Sequence, residues 1–75
     1  MRILNIGVEQ VGIASDGRVI GRGEDVVSGW SIAFVVPPGQ RDRVLADVRA
    51  GRRPVLPVPE FEALPWSSAS GIEWE

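Results

Sequence analysis

Hydrophobic and polar residues alternate along most of the first 36 positions, the period of strands with one buried face. In RILNIGV, Leu4, Ile6 and Val8 share a face, and Asn5 and Gly7 lie on the other. VGIASDGRVIGR follows, with Asp16-Gly17 between two apolar runs. That dipeptide marks a two-residue type I′ hairpin, because both central positions of such a turn need positive φ. The expected register sets Ile13 against Ile20 and Ala14 against Val19, cross-strand pairs worth roughly 0.2 to 1 kcal/mol each. GRGEDVVSG reads as a loop or bulge, with Val26 and Val27 able to start a further pairing. WSIAFVV then alternates again: Trp30, Ile32, Phe34 and Val36 on one face, Ser31, Ala33 and Val35 on the other. It is the best candidate for the central strand.

After Pro37-Pro38 the period changes. Gln40 to Ala50 reads as a helix with Val44, Leu45 and Val48 as its buried stripe, closed by Gly51 in the left-handed position past the helix end. Arg41 lies nearly in line with the stripe, and Arg43 and Asp47 are spaced for a weak ion pair. PVLPVPEF suits an edge strand or a polyproline stretch, since Pro57 cannot donate to a ladder. Phe61, Leu64 and Trp66 then stand among Glu60 and Glu62, SSASG reads as a flexible connector, and Ile72 and Trp74 alternate in IEWE. The expected architecture is α+β, a small antiparallel sheet of four or five strands with a hairpin in the N-terminal half and one helix packed on a face. Residues 1–60 form that domain, and residues 61–75 an acidic, aromatic, extended C-terminal segment.

Composition narrows the chemistry. The 75 residues include no His, Cys or Tyr, and Lys and Thr are also missing. Without His there is no side chain with an unperturbed titration near neutral pH, and without Cys or Lys the common activated nucleophiles are gone. Ser28 or Ser70 would lack its usual base. Carboxylates remain, but Glu24 and Asp25 are neighbours that point to opposite faces of an extended chain, so a solvated loop is the expectation there. The lone GRG lacks the spacing of a phosphate-cradling loop, and a P-loop needs a lysine. No enzyme activity, cofactor or metal is expected. Asn5, Glu9 and Gln10 interrupt the first apolar stretch, which argues against a secretory leader, and no window suits a membrane span. A cytoplasmic protein is expected, and the richness in Arg, Gly, Ala and Pro suggests a GC-rich bacterial or phage genome.

Charge is segregated. Residues 1–53 carry eight arginines and six acids, whereas residues 54–75 carry four glutamates and no base. Arg41, Arg43, Arg49, Arg52 and Arg53 are the candidate contacts for an anion or a nucleic acid. Against that use stand the net charge of −2 and the lack of lysines and interleaved aromatics. The leading expectation is a non-enzymatic protein-binding module of inhibitor, adaptor or immunity type, such as a phage accessory protein acting on a host complex. Phe61, Leu64, Trp66 and Trp74 would be its anchors and Glu60 and Glu62 the steering charges. The alternatives are nucleic-acid contact through the arginine-rich helix and a self-assembling structural subunit. In the alternative to the anchor reading, Phe61, Leu64 and Trp66 close the bottom of a small core, and the two readings combine with Phe61 packed and Trp74 available. A domain of this size buries only about 60% of its unfolded surface. Association as a homodimer is therefore expected, through the edge near residues 54–58 and the tail, with Trp66 the main contributor.

Overall fold

Strand β1 runs from Ile3 to Ala14 without a break, joining two segments whose hydrophobic patterns are out of phase. The computed structural model, which describes residues 2–65 and 71–75, shows the reason. A β-bulge at Glu9 shifts the register between Val8 and Gln10. One extra residue reverses the alternation, so Leu4, Ile6 and Val8 before it and Val11 and Ile13 after it all join one core. At this point β2, Val19–Asp25, comes so close that a Cβ on Gly23 would lie 1.9 Å from the Gly7 carbonyl oxygen.

The remaining elements are β3 (Ser31–Val35), a 3₁₀ turn (Pro38–Gln40), helix α1 (Arg41–Arg49), β4 (Val55–Pro59), a second 3₁₀ turn (Glu60–Glu62), β5 (Leu64–Pro65) and β6 (Ile72–Trp74). All strand pairs are antiparallel, in the order β4-β1-β2-β3-β5, with β6 beside the second half of β1. The expected α+β architecture is thus present. It has six strands because the segment after residue 60 supplies β5 on β3 and β6 on β1.

Local expectations need three corrections. The first hairpin pairs Ile13 with Val19 and Gly12 with Ile20. Its loop has three residues, since Gly17 N–H donates to the Ala14 carbonyl and Ala14 N–H to the Arg18 carbonyl. Gly17 alone in this loop has positive φ, +88°, the arrangement of a type I turn followed by a glycine bulge. Strand β3 is not central either. On its outer side it carries only the two residues of β5, and β1 and β2 form the middle of the sheet. Finally, GRGED belongs to β2, and Asp25 is buried in the strand rather than solvated in a loop.

The core lies between the sheet and α1, where Val44 is buried and Leu45 and Val48 pack against Ile6, Val8, Phe34 and their neighbours. Arg52 N–H donates to the Asp47 carbonyl and Gly51 N–H to the Val48 carbonyl. With Gly51 at φ +82°, these bonds close the helix as a Schellman motif. On the opposite face a smaller cluster joins Ala14, Ile20 and Ala33 to Ile72 and Trp74.

Strand β4 is an edge strand with Leu56 and Val58 turned inward. Val8 N–H donates to the Pro54 carbonyl and Glu60 N–H to the Arg2 carbonyl, so the even-numbered residues of this segment face β1. Pro57 and Pro59 therefore occupy the outer edge, where each removes a donor.

Candidate functional site

Among the exposed aromatic side chains of the described residues, the one with the highest fractional exposure lies where the chain leaves β4. Pro59 turns it into the 3₁₀ turn, Ala63 N–H donates to the Glu60 carbonyl at 3.1 Å, and Ala63 packs against the core. Phe61 is left pointing away, 75% exposed. Leu64 then pairs with Ala33 on the outer edge of β3 and stays 45% exposed. Together with Val35, Pro37 and Glu62 these residues line a groove of about 470 Å³. Exposed apolar surface gathered into one groove is the usual mark of a contact site, unlike singly scattered residues.

Leu64 also borders a second hollow of about 400 Å³, shared with Trp30, Pro65, Ala63 and Glu60. Trp30, grouped by its alternation with Ile32, Phe34 and Val36, lies just outside β3, half exposed, with the Arg2 guanidinium 5.2 Å from its ring centroid. Arg2 in turn reaches Glu60 at 3.7 Å. An arginine held between a ring and a carboxylate keeps both in place at little electrostatic gain. Glu62 makes no ion pair among the described residues.

Four of the expected anchors and charges thus come together: Glu60, Phe61, Glu62 and Leu64. Trp66 lies outside the described residues. Trp74 is elsewhere and reverses its expected role. It pairs with Gly12 in the sheet, half-buried, with the Arg22 guanidinium 4.0 Å from its ring centroid. Gly12 is required there, since a Cβ would lie 2.8 Å from the indole. Arg22 is steadied by its Nε donating to Gln10 Oε1 at 2.8 Å. So Phe61, expected to be packed, is open, and Trp74, expected to be available, is engaged.

The arginine cluster is mostly committed within the chain. Arg49 makes a bidentate contact with the Glu75 carboxylate, at 2.8 and 2.9 Å, and Glu75 is itself held by its N–H on the Val11 carbonyl. This pairing raises the Arg49 pKa and lowers that of Glu75, mainly through the shared side-chain hydrogen bonds. Asp47 pairs with Arg52 at 2.9 Å and not with Arg43, because the Schellman turn brings Arg52 back over the last turn of α1. Arg53 reaches Glu9 at 3.4 Å. Arg43 donates to Gln40 Oε1, and neither it nor Arg41 has an ion pair among the described residues.

Asp25 is the carboxylate whose surroundings depart most from water. It accepts hydrogen bonds from Ser28 N–H, Asn5 N–H and the Ser28 hydroxyl at 2.8 to 2.9 Å. Backbone donation from Ser28 above all holds its carboxyl well below the usual range, at about 2. Its lone pairs thus stabilise the β2–β3 turn, and a carboxylate so engaged has little basicity left for proton transfer. Among the described residues no group of three or more Asp or Glu side chains comes together, and no helix is long and apolar enough to cross a membrane.

Val35, Pro37 and Trp30 were missed as site residues. Trp30 opens an alternating segment, Val35 ends its strand and Pro37 begins a double proline, and none of these positions gave a signal that Phe61 and Leu64 would fold back beside them. Comparison of the chain with protein-family models, curated proteins and solved structures finds no match in any of the three.

Proposed function

We propose that the protein is a non-enzymatic protein-binding module whose contact surface is the Phe61–Leu64 groove. The observation carrying this reading is Phe61, a large ring left 75% exposed at the head of an apolar groove while the other phenylalanine, Phe34, is buried. Aromatic anchors in such positions supply most interface free energy, and neighbouring carboxylates favour partners with a basic rim. A partner with a hydrophobic knob or socket bordered by Arg or Lys fits this surface. An inhibitory, adaptor or immunity role in the cytoplasm of a bacterium or phage host belongs to the same proposal. Nucleic-acid contact through α1 is less favoured, because Arg49, Arg52 and Arg53 already hold carboxylates.

The test is affinity capture from the native host with the intact chain, with Phe61→Ala/Leu64→Ala, and with Arg41→Ala/Arg43→Ala. A partner retained by the arginine variant and lost by the groove variant supports the reading. Truncating such an anchor costs 2 kcal/mol or more, about thirtyfold in affinity. A partner indifferent to both groove substitutions overturns it.

A further inference from the structure

The groove has a neighbour. Val35 lines both it and a third hollow, of about 290 Å³, bordered by Val36, Pro38, Asp16, Arg18 and Arg41. One hollow at Val35 thus carries a protruding ring and an acid, and the other an apolar floor with Arg41 and the Arg18–Asp16 pair. A two-fold axis near Val35 would set each hollow of one copy against the other hollow of a second, the self-complementarity that a closed dimer requires. We propose that the groove is a self-pairing surface: in a symmetric dimer, Phe61 of each copy seats in the hollow beside Val35 of the other, with Glu62 facing Arg41. This rests on the reading of the groove as a protein-binding surface and names a second copy as its occupant.

Charge complementarity carries the choice. Arg18 is occupied by Asp16 at 2.6 Å, whereas Glu62 and Arg41 make no ion pair among the described residues. They line the two hollows that share Val35 and carry opposite sign, so a two-fold operation there can bring each to its complement twice. The edge geometry agrees. On the outer side of β3, β5 covers Ile32 and Ala33 and leaves Val35 beyond it, 39% exposed. The other edge, expected earlier to carry the dimer, is poorly suited, because β4 has already spent its donor side on β1 and turns Pro57 and Pro59 outward.

Sedimentation equilibrium on the full chain at tens of micromolar tests this, with far-UV circular dichroism to confirm that each variant is folded. The intact chain should be dimeric. Phe61→Ala should weaken the dimer at least about thirtyfold. Arg41→Glu and Glu62→Arg should each weaken it about tenfold through like-charge contact, and the double exchange should restore most of the loss. Val55→Asp, on the β4 edge, should leave it unchanged. A monomeric intact chain, a dimer indifferent to Phe61→Ala, or a double exchange no better than either single one would overturn self-pairing. If the chain is monomeric while Phe61→Ala/Leu64→Ala still loses a captured host protein, self-pairing falls and the binding reading stands.

Discussion

The arginine-rich end of α1 and the acidic segment after β4 look like equivalent candidates in the sequence, each a cluster of one charge beside apolar residues. Folding treats them oppositely. Three arginines at the helix end find carboxylates from β1, from α1 itself and from the C-terminus. In the acidic segment Glu60 reaches Arg2 but Glu62 has no ion pair among the described residues, and the two flank Phe61, which with Leu64 the core does not take in. A cluster of charge is thus a weak indicator of a contact surface, because opposite charge elsewhere in the chain can cancel it. A large apolar side chain that stays exposed is a stronger one, because nothing within the chain repays its hydration.

The contrast can be tested by substitution and pH. The largest effect is expected at Trp74, which seats the strand that delivers Glu75 to Arg49: Trp74→Ala should cost about 2 kcal/mol, a half-buried share of the usual Trp→Ala loss. Chemical denaturation would measure it, and a loss under 0.5 kcal/mol would detach β6 from the fold's stability. Acid titration should act next. The Asp25 carboxyl is lowered in the fold to about 2, so the unfolded chain binds its proton first as pH falls. Its contribution is complete above about pH 4 and is lost between about pH 4 and pH 2. Asp25→Asn should flatten the fall in melting temperature across that window, and an unchanged profile would assign the acid sensitivity elsewhere.

The Arg49–Glu75 pair should couple only weakly in a double-mutant cycle at low salt, and more weakly still at 1 M salt. A strong coupling that 1 M salt leaves unchanged would make the arginine end a structural centre. The smallest effect is expected at the groove: Phe61→Ala should leave the stability of the isolated chain within about 0.5 kcal/mol. A loss near that of a buried phenylalanine, 3 kcal/mol or more, would return Phe61 to the core.

How legible each region was depended on whether its determinants were local. Strand alternation in β1 to β3 and the helix with its Gly51 terminator could be read directly, because period and capping act over a few residues. The bulge at Glu9 could not, since one inserted residue makes a single strand resemble two. Asp25 looked solvated because its partners include the Asn5 amide, 20 residues away. Strands β5 and β6, of two and three residues, are too short to show a period and exist through their register on β3 and β1. Phe61 and Trp74 exchanged roles for the same reason. Both are aromatics among glutamates, and only the pairing of Trp74 with Gly12 separates them.

The two outward prolines of β4 bear on aggregation. A free strand edge is a template on which further chains can stack without limit, and fibril growth needs a donor and an acceptor at each step. Pro57 and Pro59 leave acceptors in place but withdraw the matching donors, so an incoming strand finds a ladder with alternate rungs missing. In the two-fold pairing proposed above, the opposite side of the sheet would close on itself, satisfying both copies and exposing no new end. In that arrangement assembly stops at two, and a small, partly apolar protein can reach high concentration without seeding a polymer.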